Sequence, residues 1–238
     1  MAETARTSDV ADTADDRGVA DVADTADDGG MADVADVDSF REAVIDWAAG
    51  GPGDRARELA ARAPVRTAVL LEGLSDAAAV NALAACRSRN LAAEGVCVVP
   101  MGGAMSVGRF AELLGPPGLG LRLTGLCDEA ERRFYARGLE RNGAAGQPFF
   151  VCAADLEDEL IRALGVARVE ELIRAEGDSR ALQTFLRQPA QRGRTPQQQL
   201  RRFLGTKKGR KIHYGRVLVE ALGPHTTPAP LDALLTHL

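Results

Sequence analysis

TAVLLEGLSDAAAVNALA, residues 67–84, decides the fold. A five-residue apolar run, Thr67–Leu71, reads as a strand. It breaks at Glu72-Gly73, and an alanine-rich stretch from Ser75 to Arg87 then reads as a helix. Working outward, the alternation repeats. VCVV (96–99) predicts a second strand and 105–114 a helix; LRLTGLC (121–127) predicts a third strand and 129–141 a helix. A fourth strand follows at 149–152, then a helix over 155–164 with Leu156, Leu160, Ile161 and Leu164 on one side. Strands alternating with helices through short connections predict an α/β fold: a mainly parallel four-stranded sheet with helices on both faces.

The flanks read differently. Ser39-x-x-Glu42 has the form of a capping box, followed by Phe40, Val44, Ile45 and Trp47 at helical spacing; Gly50–Gly53 ends that helix, and a second runs from Asp54 to about Arg62 before Pro64. Beyond residue 166 only helical patterns occur, over roughly 166–176, 178–187, 196–204, 209–222 and 230–237. The first 38 residues repeat with a period of 12 (DVADTADDRGVA, then DVADTADDGGMA) and offer only Ala, Val and Met to bury. The expected organisation is therefore a disordered acidic tail over 1–38, N-terminal helices over 39–64, an α/β domain over 65–165 and an all-helical extension over 166–238.

The chain has 238 residues, 45% hydrophobic and 26% charged, a globular composition. No apolar run approaches the ~20 residues that span a bilayer, and no basic-then-apolar leader opens the sequence, so the cytoplasm is the expected compartment. The net charge of −5 conceals two unlike parts. Residues 1–38 hold twelve acids and two bases, leaving a body with 22 acids and 27 bases. A basic body admits a polyanionic partner. The four cysteines form no C-x-x-C pair and read as reduced thiols, and the three histidines have no partners at zinc spacing.

In an open parallel sheet, ligands gather beyond the carboxyl ends of the strands. The first strand ends in Glu72-Gly73-Leu74-Ser75-Asp76, which lets Glu72 and Asp76 face one small space. The second leads into Gly102-Gly103, whose N–H groups could meet a phosphate or simply form a turn. The third ends in Cys127-Asp128-Glu129-Ala130-Glu131, with Asp128 at the tip and Glu131 about one turn on. The fourth is followed by Asp155, read as an ordinary N-cap, and by Glu157, which can point to the same rim. Each of these first-turn acids alone is also what a helix dipole favours. Carboxylates collected from several tips repel one another unless a cation lies between them, and oxygen-only donors suit Mg²⁺ or Mn²⁺. Such an ion can stabilise charge on a phosphodiester.

LLEGLSDAAAVNALA (70–84), the strand and glycine pair at 96–103, GLCDEAE (125–131) and DLEDEL (155–160) together resemble a Toprim domain, in the version found in OLD (overcoming lysogenization defect) nucleases. The resemblance runs from about residue 65 to 165. It implies a Rossmann-like sheet that binds Mg²⁺ and cuts or joins phosphodiesters, with Glu72 as a metal ligand or general acid/base and Asp76 as a neighbouring ligand. It further implies Asp128 as the first acid of an Asp-x-Asp pair and Glu157 as the later glutamate. The second acid of that pair falls at Ala130, leaving Glu131 or Glu129 to substitute. Nucleases of this family usually carry an ATPase domain; no G-x-x-x-x-G-K-[ST] loop occurs here, so an ATP-driven clamp comes from another chain or is absent.

From Arg187 to Arg216 there are ten bases and no acid, including Arg201, Arg202, Lys207, Lys208, Arg210 and Lys211. Pro, Gly and Gln over 188–199 predict a flexible arm lining a groove, and the bases that follow predict phosphate contacts. Lys211 matches the family's lysine element and would offset negative charge at the scissile phosphate, with Lys208 as the other candidate. The expected function is metal-dependent hydrolysis of DNA by a stand-alone OLD-type Toprim protein. A non-catalytic nucleic-acid-binding or regulatory module is the alternative, and a serine hydrolase using Ser75 a lesser one, since Gly73-Leu74-Ser75 partly resembles a nucleophile elbow.

Overall fold

The computed structural model describes residues 28–238. Four strands, β1 (Thr67–Leu71), β2 (Val96–Pro100), β3 (Arg122–Asp128) and β4 (Phe149–Cys152), form one all-parallel sheet in the order β2-β1-β3-β4. All five residues of β1 are buried, as expected of a central strand covered on both faces. The two faces are legible residue by residue, because successive side chains point to opposite sides. Val69, Leu71, Val96, Val98 and Leu126 enter one core; Ala68, Leu70, Cys97, Val99 and Leu123 enter the other.

The connecting helices divide accordingly. α3 (Leu74–Cys86) and α6 (Leu156–Leu164) pack into the first core, while α4 (Val107–Leu114) and α5 (Arg132–Arg141) pack into the second. The chain runs from β1 outward to β2, then returns to place β3 on the other side of β1. The strand order therefore reverses between β1 and β3, and a crevice opens at their carboxyl ends.

The second core is completed by α1 (Asp28–Ala48) and α2 (Asp54–Arg62). Here the structure departs from expectation. α1 is already helical from Asp28, so Ser39 lies inside the helix and Ser39-x-x-Glu42 caps nothing. Val37, Phe40 and Val44 are buried at helical spacing, so packing carries the helix back into sequence of low hydrophobicity. The expected acidic tail is thus helical over 28–38; its first 27 residues lie outside the described part.

The C-terminal helices are α7 (Val166–Ala175), α8 (Ser179–Leu186), α9 (Pro196–Leu204), α10 (Lys208–Glu220) and α11 (Ala229–His237). They share a core with the sheet rather than building one of their own: Phe203, Tyr214, Leu218 and Leu234 join Val69, Leu71 and Val80 in a single cluster. The segment expected as a flexible arm holds a 3-10 turn at Pro189–Gln191 and the start of α9, capped by Thr195 and Gln198, and Gln191 is buried. Among the described residues, no helix is long and apolar enough to cross a membrane.

One contact decides where α10 lies. A Cβ placed on Gly215 would come within 2.6 Å of the Ser75 carbonyl oxygen, so only glycine lets α10 press this closely on the start of α3. Lys211 stands one turn before Gly215 and is thereby carried to the end of β1.

Candidate metal centre

Three strand ends build the site. After β1, Gly73 N–H donates to Asp76 Oδ2 at 2.9 Å, which turns the Asp76 carboxylate back toward Glu72. At the tip of β3, Glu131 N–H donates to the Asp128 carbonyl at 2.9 Å, closing a turn that folds Glu131 back over Asp128. Glu129 leaves that turn outward; it is exposed, with Arg132 at 3.7 Å. After β4, Asp155 caps α6, its Oδ1 accepting from Asp158 N–H at 2.8 Å.

Glu72, Asp128 and Glu131 each offer a carboxylate oxygen, and the three oxygens lie within 4.8 Å of one another. They line a cavity of about 230 Å³ together with Asp76, Asp155 and Lys211. Of the two acids left open as substitutes for Ala130, Glu131 is the one that joins this cluster and lines the cavity. Its Oε2 is buried without a hydrogen-bond partner. An orphaned buried carboxylate oxygen costs free energy until something cationic or protic reaches it.

The electrostatics agree. Burial, with Asp155, Glu131, Glu72 and Asp76 adding to it, raises the Asp128 carboxyl to about 7. Burial likewise raises Glu131, with Glu72 and Asp76 adding and Lys211 opposing. Burial raises Asp76, against Lys211 and the Gly73 N–H, with Glu72 and Asp155 adding to the rise. Burial and neighbouring acids thus disfavour charge on Asp76, Asp128 and Glu131, a penalty that a divalent cation among them would relieve.

Glu157 sits elsewhere. Expected among the metal ligands, it does not line the cavity; its side chain is 5% exposed and its Oε2 lies 3.2 Å from Lys211 Nζ. Burial is the chief cause that lifts its carboxyl to about 7, with Lys211 pulling it down and Asp76 and Asp155 pushing it up. For Lys211 burial works against the charge, but Glu157, Asp76 and Asp155 outweigh it and raise its pKa. Lys211 thus bridges the buried glutamate and the acidic cavity. The side chain of Lys208 lies outside the described part.

Asp155, read from the sequence as an ordinary N-cap, is also a cavity-lining residue. It accepts from Arg201 Nε through Oδ2 at 2.6 Å. The signal available was its place just after a strand, the same that marked Asp128. The basic stretch is also less free than its composition implied. Arg201 pairs with Asp155, Arg210 with Asp178 at 3.1 Å and Lys211 with Glu157, each acid lying more than thirty residues away in sequence. Arg202 and Lys207 are exposed, and Lys207 and Arg210 line a shallow groove of about 530 Å³ between α8 and α10. Among the described residues, the cavity that Ser75 lines contains no histidine, and His213 is bonded to Glu176 at 2.7 Å, so the Ser-Asp-His order is not assembled around Ser75.

Residues 65–129 match the family described as overcoming lysogenization defect protein-like, TOPRIM domain. Among solved structures, the chain is similar to the C-terminal region of the Burkholderia pseudomallei OLD protein, with 20% identity and a TM-score of 0.55 over 73% of this chain and 96% of that one. It is also similar to the C-terminal region of the Xanthomonas campestris pv. campestris OLD protein, with 24% identity and a TM-score of 0.57 over 73% of this chain and 91% of that one. Curated protein sequences provide no match.

Proposed function

We propose that this chain, whose residues 65–129 match the overcoming lysogenization defect protein-like TOPRIM domain, is a metal-dependent phosphodiesterase that hydrolyses nucleic acid, DNA before RNA. The observation that carries this reading is the convergence of Glu72, Asp128 and Glu131 at the point where the strand order reverses. The donor set fits Mg²⁺ or Mn²⁺: all candidate ligands are oxygen, and the Glu131 carboxylate has a buried oxygen, Oε2, without a hydrogen-bond partner. Glu72, Asp128 and Glu131 would hold the ion, with Asp76 and Asp155 alongside. Bound there, it would supply Lewis-acid stabilisation of charge on the phosphoryl oxygens.

The chain's own groups do the rest. Asp76, held by the Gly73 N–H, keeps the loop after β1 closed and so fixes the backbone that carries Glu72. Lys211 brings an ammonium to the cavity wall, where it would offset the charge that develops on the phosphate oxygens. Glu157 holds Lys211 from behind, and Arg201 orients Asp155. Exposed bases such as Arg202 and Lys207 supply contacts to the rest of the polyanion.

Ala130 favours one other reading. An alanine where the family pattern has an acid would suit a module that binds nucleic acid without cutting it. A nuclease assay in Mn²⁺ and in Mg²⁺ with wild type and Glu72→Gln separates the two. Metal-dependent cleavage by wild type and at least 100-fold less by the variant is expected, since catalytic metal sites contribute several kcal/mol. Equal background in both would leave the binding module.

A further inference from the structure

A second cavity, of about 490 Å³, adjoins the acidic one and shares Glu72, Asp76 and Lys211 with it. Its other walls differ in character. Ile45, Leu74, Pro100 and Ile212 present apolar surface, and Gly102-Gly103 present bare backbone. Leu74 is 47% exposed although it is a large apolar residue at the first position of α3. Gly102 and Gly103 have φ of +77° and +140°, conformations suited to glycine, and a Cβ on either would meet nothing within 4 Å. The glycine pair is fastened to the site: Gly103 N–H donates to the Glu72 carbonyl at 3.0 Å and Met101 N–H to the Leu71 carbonyl at 2.8 Å.

We propose that this cavity seats one unstacked nucleoside, the one joined to the phosphate held over Glu72, Asp128 and Glu131. The inference rests on the phosphodiesterase reading and narrows its substrate to unpaired nucleic acid: single strands, ends or frayed junctions. Three observations commit the occupant. The cavity meets the acidic cluster along the shared wall of Glu72, Asp76 and Lys211, so a group attached to a phosphate held there would reach into it. Among the described residues lining it, Lys211 alone is cationic, while Ile45, Leu74, Pro100 and Ile212 offer a base and sugar apolar walls. The volume is that of a small-molecule pocket of ~300–1,000 Å³ rather than a groove for a duplex. A base stacked in a helix cannot enter a recess, so occupancy requires it to leave the stack.

Two chromogenic esters test the proposal: thymidine 5′-(p-nitrophenyl phosphate) and methyl p-nitrophenyl phosphate, assayed in Mn²⁺ with wild type and Leu74→Trp. Leu74 is exposed enough that tryptophan fills the cavity without disturbing the core. Expected is a KM about tenfold lower for the nucleoside ester in wild type, with that ratio falling to about one in the variant. Equal KM values in wild type, or a ratio unchanged in Leu74→Trp, overturns the nucleoside pocket. If neither ester is hydrolysed, the phosphodiesterase reading fails by itself. The pocket is then judged by calorimetric binding of thymidine 5′-monophosphate in Mg²⁺: affinity weakened about tenfold by Leu74→Trp sustains it, and no binding or an unaffected affinity overturns it.

Discussion

Asp128→Asn should stabilise the metal-free protein while removing its metal site. Burial and four neighbouring carboxyl groups hold the Asp128 carboxyl near 7, against an ordinary 3.8. A carboxyl raised on folding lets the native state keep a proton that the unfolded chain has released, so this group's contribution falls as pH rises from about 4 to about 7. Above that window the native state holds a charged Asp128 at a cost; asparagine, of nearly the same shape, does not ionise. A rise of roughly three pH units corresponds to ~4 kcal/mol at most, and the partial exposure of Asp128 reduces this to about 1–2 kcal/mol. For a chain of this size that is about 3–6 °C in Tm. The assay is thermal unfolding in EDTA. At pH 8 the variant should melt higher, and at pH 4.5 the difference should shrink toward zero. Added Mg²⁺ should reverse the order at pH 8, because an ion at a hundred times its Kd stabilises the native wild type by about 2.7 kcal/mol and gives the variant little. A variant that melts at or below wild type in EDTA at pH 8 would refute the crowding of these acids.

Three further outcomes follow from the same geometry. Gly215→Ala places a Cβ 2.6 Å from the Ser75 carbonyl, so α10 must shift; a loss of about 1–3 kcal/mol in urea unfolding is expected, with cleavage falling more than stability because Lys211 moves too. Glu157→Gln should leave Mn²⁺ affinity within about threefold of wild type while lowering kcat about tenfold, because Glu157 holds Lys211 rather than the ion; abolished Mn²⁺ binding would return Glu157 to the ligand set. Removing residues 1–27, with their eight acids and two bases, should tighten DNA binding at low salt and leave it unchanged at high salt, measured by fluorescence anisotropy.

How far these features could be read from residues alone depended on how local their causes are. The sheet was legible because parallel strands buried on both faces appear as short apolar runs, and the reversal of strand order points to the same crevice that the strand-tip acids mark. Asp128 was legible for that reason, as the last residue of β3. The choice between Glu129 and Glu131 was not, since it turns on the hydrogen bond from Glu131 N–H to the Asp128 carbonyl. α1 was misjudged because its first residues are Asp, Gly, Ala and Val, whose helix depends on Val37 and Phe40 finding the second core. The basic stretch looked uncompensated because its partners, Asp155, Glu157 and Asp178, arrive from other helices. Glu157 illustrates the limit most clearly: its position after β4 placed it at the rim, but burial turned it toward Lys211.

The central claim is that Glu72, Asp128 and Glu131 share one divalent cation, with Glu131 standing in where Ala130 leaves no ligand. Mn²⁺ titration followed by electron paramagnetic resonance, with wild type and Glu131→Gln side by side at pH 8, tests it most directly. Loss of the free-Mn²⁺ signal to saturation by wild type, and at least tenfold weaker uptake by the variant, is the expected result. Mn²⁺ left free by wild type, or equal uptake by both proteins, would contradict it.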